Sequence, residues 1–324
     1  LYGIESRANA VLSNLALHDE DDVSKQLHYA RAAANAAQKA GDAFALQTAL
    51  LQMLSGYMRQ GDVEKSASVD KHLATIHTDD LAEKYLTIFK SIRLAWSGQF
   101  AEAHRLLRTC WERMGFDFDR MACGGQYALF LAIDGQRQES LHVAEAVLRS
   151  SEGSHAPGLF RIRSFALAKV MCALSEGING RSVVAERVLR SVEPKADPVV
   201  KVSIATVRAM MTRFRHPGAG DASASSEGTR SLASLGYADI AKLLEAVERV
   251  LSRPEIFAST ACDLTAAERQ ILKLLSEGFI PKDIALRTDR SVYTVRVHIA
   301  NAIAKLGCHG RSEAIKAAQH LQLI

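Results

Sequence analysis

The sequence predicts an all-α protein, a helical-repeat superhelix followed by a small four-helix domain, and three observations carry that prediction. Ala and Leu are abundant while only 6% of the 324 residues are aromatic, a balance that favours helices over β-sandwiches. Apolar residues recur at three and four spacing over most of the first two hundred positions. Single glycines followed by short polar stretches interrupt that pattern at near-regular intervals.

Helices are expected near 4–17, 22–40, 43–60, 62–76, 79–97, 99–114, 117–134, 136–151, 158–176, 181–193 and 197–215. Gly61, Gly98 and Gly135 lie 37 residues apart, and Gly180 follows after 45. A glycine that closes one helix, with a polar residue opening the next, makes a helical hairpin. Equally spaced hairpins stack into a solenoid in which each repeat buries its apolar face on its neighbours. Ser66, Ala103, Ser140 and Ala185, just after each turn, are small enough for two helices to cross closely. The pattern resembles a tetratricopeptide array, with Gly98-Gln99-Phe100-Ala101-Glu102-Ala103 its best instance. The period exceeds the usual 34 and the family's aromatic positions are mostly missing, as in the degenerate superhelical arrays of large bacterial regulators. An irregular helical domain without true repeats is the plainer alternative.

Residues 216–228, rich in Gly, Ala and Ser, have no periodicity and read as a flexible loop or linker. Another helix is expected over 238–251, with Ile240, Leu243, Leu244, Val247 and Leu251 on one face. It reads as a cap on the end of the array. Arg253-Pro254 stops it, and 254–263 leads to the final module. The expected division is therefore a repeat domain over 1–215, a linker with its capping helix over 216–263, and a small domain over 264–324.

In that last domain Thr265 and Glu268 form a capping box, and Ile271, Leu272 and Leu275 turn inward until Gly278 ends the helix. Pro281 opens a second, short helix that points Ile284 inward. Ser291 caps a third over 292–306, and a fourth occupies about 311–321. On the third helix Val295, Ile299, Ala302 and Leu306 make an inward stripe. Tyr293, Arg296, Val297, Ala300 and Ala304, flanked by Asn301 and Lys305, make the opposite one. A long donor among small side chains is slim enough to enter a major groove, where Arg296 suits guanine or a phosphate and Lys305 a phosphate.

Taken in order, Leu264-Thr265, Glu268-Arg269, Ile271-Leu272, Glu277-Gly278, Lys282-Asp283-Ile284-Ala285, Ser291, Thr294-Val295-Arg296, His298, Lys305-Leu306-Gly307, Arg311 and Glu313-Ala314 resemble the LuxR/FixJ-type helix-turn-helix. The resemblance covers about 60 residues, under a fifth of the chain. It implies a four-helix DNA-binding module whose third helix reads the major groove and whose fourth makes the dimer. Carried over position by position, the groove-facing basic residue falls on Arg296, with Val297 beside it. A second basic position falls on Ala300, which cannot donate, so readout there is lost or passes to Asn301. Thr288 and Arg290 replace apolar residues in the turn, which implies a looser turn and an added phosphate contact from Arg290. His298 reads as a packing or capping group; Lys282 is either a phosphate contact or an ordinary exposed lysine. The candidate DNA-contacting set is Lys282, Ser291, Tyr293, Thr294, Arg296, Val297, Ala300, Asn301 and Lys305. The candidate dimer set is Ala314, Ala317 and Leu321.

Charge and composition narrow the rest. Of the net charge of +4, the last 62 residues carry +3, with nine Lys/Arg against six Asp/Glu, which points to an anionic partner. Five scattered cysteines without a CxxC argue against zinc or a disulfide framework and for reduced thiols in the cytoplasm. His18, His28, His72, His77, His104, His142 and His155 show no paired spacing for a metal. There is no apolar run long enough to span a membrane, no signal peptide, no phosphate loop, no HExxH and no GxSxG, so neither an enzyme nor a bound cofactor is expected. Leu1 stands where an initiator Met would be, the expectation for a fragment; ATP would enter only through an upstream nucleotide-binding domain. The arrangement resembles the C-terminal half of large ATP-dependent, MalT-like LuxR activators. The expectation is a sequence-specific transcription regulator that binds promoter DNA as a homodimer, takes a protein or small-molecule effector on its repeats and, if an activator, engages RNA polymerase. The alternative is a protein-interaction scaffold with a weak or vestigial DNA module.

Overall fold

The computed structural model of the chain describes residues 1–18, 20–76, 79–113, 118–150, 159–215, 222–252, 264–306, 308, 310–320 and 323–324. Among these residues it is helical throughout, with no strand. The first thirteen helices are α1 (Tyr2–His18), α2 (Val23–Ala40), α3 (Ala43–Arg59), α4 (Val63–Leu73), α5 (Asp80–Trp96), α6 (Phe100–Arg113), α7 (Phe118–Ile133), α8 (Arg137–Ser150), α9 (Leu159–Ile178), α10 (Ser182–Val192), α11 (Pro198–Arg215), α12 (Ala222–Ser234) and α13 (Ala238–Leu251). The last four are α14 (Ala266–Ser276), α15 (Pro281–Thr288), α16 (Val292–Lys305) and α17 (Arg311–His320).

The punctuation of the array is local chemistry. Gly61, Gly98, Gly135 and Gly180 close their helices with φ of 66, 83, 75 and 79°, a left-handed backbone that a side chain would strain. Asp22, Asp42, Asp62 and Asp79 open α2, α3, α4 and α5, each accepting a backbone N–H from the first turn at 2.8–3.0 Å. Ser66, Ala103, Ser140 and Ala185 are completely buried, as the turns require. At the α7–α9 crossing a Cβ on Gly125 would stand 2.4 Å from the Ala168 carbonyl oxygen, so only glycine lets the two backbones meet.

Most consecutive helices pack as hairpins, and alternate helices also touch, α1 with α3, α3 with α5, α7 with α9 and α9 with α11. That two-layer stacking is consistent with a repeat superhelix. The row curls far enough for α1 to reach α9. One continuous apolar core runs from Leu27 to Leu251, and a second, separate one from Leu264 to Ile324.

Two expectations are corrected here. The stretch 216–228 is not a loop throughout, because α12 begins at Ala222. Its inward stripe is Ser225, Thr229 and Leu232, all buried, and a Cβ on Gly228 would sit 2.0 Å from the Thr206 hydroxyl. Ser, Thr and Gly carry that periodicity, so a hydrophobic count misses it. Residues 216–221 and 253–263 lie outside the described residues. Nor does α13 cap the end of the array: it folds back on α3 and α5. Ala241, Ala246 and Val250 are buried besides the expected Ile240, Leu243, Leu244, Val247 and Leu251. That buried arc is too wide for a helix packed on one side only.

Candidate nucleic-acid interface

The terminal module is set from its first turn. The Thr265 hydroxyl accepts the Glu268 amide at 3.2 Å, and the Glu268 carboxylate accepts the Thr265 amide at 2.8 Å. Helix α14 places Ile271, Leu272 and Leu275 in the core and ends at Gly278, φ 93°. Pro281 opens α15, whose Ile284 and Ala285 close over the same core. Asp289, φ 50°, turns the chain in left-handed geometry toward α16. Asp is among the few residues that tolerate this.

The turn is closed rather than loose. The Arg290 amide donates to the Ala285 carbonyl at 3.0 Å, and the Thr288 hydroxyl to the Ile284 carbonyl at 2.7 Å. The Arg290 guanidinium lies 2.7 Å from His298 Nε2. Arg290, expected to reach a phosphate, is thus drawn onto α16, and His298 is its anchor. Ser291 Oγ accepts the Thr294 amide at 3.0 Å and pairs with the Thr294 hydroxyl at 2.8 Å, capping α16.

Along α16, Val295, Ile299 and Ala302 are buried and Leu306 packs beside them. The opposite face is open: Tyr293 is 78% and Val297 38% exposed, and Arg296, Ala300 and Asn301 are exposed as well. Arg296 makes no ion pair among the described residues. The Ala304 side chain lies outside those described. Lys282 is exposed on the first turn of α15. The Arg287 guanidinium stacks 3.9 Å from the Phe279 ring centroid, which gives this side of the module a fixed cation.

Lys305 stands apart from the rest of the set. Its ammonium lies 2.7 Å from the Glu268 carboxylate and its side chain is only 35% exposed. Burial alone would push the Glu268 carboxyl up. The hydrogen bonds from Lys305 and from Thr265 outweigh it and hold the group below the usual carboxylate range. Neither this pair nor Arg290–His298 is visible in the sequence, since one joins two helices and the other joins the turn to α16, with no motif of their own.

On α17, Ala314 is completely buried in the module core, as is Ala318. Ala314 was expected at the dimer face. It is a core residue, because it is completely buried in the module's apolar cluster and leaves no surface for a partner. The Ala317 side chain and Leu321 lie outside what the structure describes. Among the described residues no group of His, Cys, Asp and Glu could hold a metal ion, and no helix is long and apolar enough to cross a membrane.

The family comparison falls on the same module. The family model described as "Bacterial regulatory proteins, luxR family" matches residues 263–318. The spore germination protein GerE of Bacillus subtilis is 46% identical over 52 residues, 16% of this chain and 70% of GerE. The HTH-type transcriptional regulators MalT from two strains of Klebsiella pneumoniae are each 37% identical over 76 residues, 23% of this chain. The match spans 8% of the length of those MalT proteins. No solved structure matches the chain. Through its C-terminal helix-turn-helix the chain belongs to the luxR family of bacterial regulatory proteins.

Proposed function

We propose that the protein is a sequence-specific, DNA-binding transcription regulator in which α16 enters the major groove of promoter DNA. The observation that carries the reading is the pairing of two opposite faces on one helix. Val295, Ile299 and Ala302 lock α16 to the module, while Tyr293, Arg296, Val297, Ala300 and Asn301 leave a slim, exposed, cationic face. Arg296 addresses guanine, Val297 and Ala300 let the backbone approach, and Asn301 supplies the donor that Ala300 lacks. Lys282, Ser291, Tyr293 and Thr294 hold the backbone phosphates on either side. Lys305 supports the helix rather than the DNA, because its charge is spent on Glu268.

In this reading the protein works in the cytoplasm as a homodimer on DNA, paired through Ala317 on α17 and through Leu321. The division at 264 separates the reader from the helical array, and the array receives the signal, a protein or small-molecule effector. Contact with RNA polymerase follows if the protein activates, and ATP enters only if a nucleotide-binding domain lies upstream. A scaffold with a vestigial module is disfavoured by the well-made turn, since Thr288 and Arg290 both find partners. The test is in vitro selection of random duplexes on the full chain. Recovery of a consensus that Arg296→Ala loses supports the proposal; equal binding to all sequences sinks it.

A further inference from the structure

Helix α13 is the last described helix before the module, and it is held to the first third of the array by polar bonds across long stretches of sequence. Tyr237, at its N-terminus, donates to the Asp21 carboxylate at 2.9 Å. Asp21 itself sits in a left-handed turn, φ 55°. The same carboxylate takes Arg59 from α3 at 2.7 Å and Arg163 from α9. The two guanidiniums flank the Tyr237 ring, at 4.6 and 5.3 Å from its centroid. One turn on, the Trp96 indole donates to the Asp239 carbonyl at 3.1 Å, and Lys242 donates to the Gly61 carbonyl at 2.6 Å. The α3–α4 and α5–α6 turns thus grip α13.

The grip is incomplete. Arg59 is 6% exposed, yet its Nε and Nη1 have no partner, and neither does Asp239 Oδ1. Buried polar atoms without partners cost free energy that water would return on opening. Release of α13 exposes apolar surface but hydrates these groups, which offsets part of the cost of an open state. A sealed apolar joint would hold as well without such a cost.

We infer that α13 forms a releasable clasp, closed on the α1–α2, α3–α4 and α5–α6 turns through Tyr237, Lys242 and Asp239, whose opening is the step by which the array controls the DNA-binding module. The second half of this inference rests on the DNA-binding reading; the first half does not. The test is the full chain carrying Tyr237→Phe and Lys242→Met, which keep the ring and the aliphatic stem while removing both bonds. Amide hydrogen exchange should rise about tenfold or more over 238–251 and stay unchanged over 123–133 and 167–178. No change at 238–251, or an equal rise in all three segments, overturns the clasp. Should the double variant not fold, Lys242→Met alone is read in the same way. The duplex affinity of the double variant should then shift by at least about threefold, and an unchanged affinity with α13 released overturns the control step. If the parent chain binds no duplex, the DNA-binding reading and the control step fall together, while the exchange experiment still decides the clasp.

Discussion

The Lys305 ammonium lies 2.7 Å from the Glu268 carboxylate, so the last turn of α16 is tied to the first turn of α14. The pair works with the capping box, which uses the same carboxylate. Lys305→Met should lower the stability of the module by about 1–3 kcal/mol, because it leaves a buried carboxylate without its cation. Glu268 is held below its ordinary value of 4.5. Its stabilisation is therefore present above about pH 4.5 and lost as pH falls through the lower folded value. Thermal unfolding of parent and variant should differ at neutral pH and converge in acid. The salt dependence of DNA binding should not change slope; a slope shallower by about one unit would place Lys305 on a phosphate instead.

Arg296 is the long donor at the centre of the open face of α16. Arg296→Ala should cost about 1–3 kcal/mol on the selected operator and relax one base position. Tyr293→Ala should weaken all sequences alike, since its proposed partner is the backbone. Binding of each variant to a panel of single-base operator mutants separates the two outcomes. Unchanged selectivity in Arg296→Ala refutes the base contact.

Much of this was legible because it rests on local chemistry. The Thr265–Glu268 box, the turn glycines and the inward stripe of α16 are each fixed by residues within four positions of one another. What was not legible depends on distance along the chain. Asp239, Lys242 and Tyr237 find partners 143 to 216 residues away, and no spacing rule reaches that far. Helix α12 escaped for a different reason: its buried face is Ser225, Thr229 and Leu232, nearly invisible to a hydrophobic pattern. On α17 the sequence offers Ala314 for the dimer face, and no local pattern there separates core from surface. Burial of Ala314 decides it.

Asp239 is the next group to test. Burial pushes its carboxyl up to about 6 from an ordinary 3.8, and the backbone hydrogen bond from Ile240 and the nearby Arg59 only partly oppose this. A carboxyl raised in the folded state costs stability above its folded value, and that cost fades as pH falls toward 4. Asp239→Asn should therefore stabilise the array at pH 7.5 by up to about 3 kcal/mol, with the advantage gone near pH 4. Denaturant unfolding followed by far-ultraviolet circular dichroism at several pH values measures it. A pH-independent difference would show that the Asp239 carboxyl titrates in the folded protein as it does in the unfolded chain.

The last prediction concerns pairing on DNA. With Ala314 and Ala318 committed to the core, at 100° per residue Ala317 falls about 60° from Ala314, on the side away from Ala318. A small residue there allows two copies of α17 to pack closely across a two-fold axis. The recognition helices would then address half-sites about one helical turn, or roughly 10 bp, apart. The shared surface is small once Ala314 is withdrawn from it, so pairing through α17 should be weak in solution and appear mainly on DNA. Ala317→Glu places like charges across that axis. It should leave the helical circular dichroism and single half-site affinity intact while lowering cooperative binding to the paired site by at least about tenfold. Footprinting on one and two half-sites measures both quantities in the same experiment. Undiminished cooperativity in Ala317→Glu moves the dimer contact out of α17 and into the helical array.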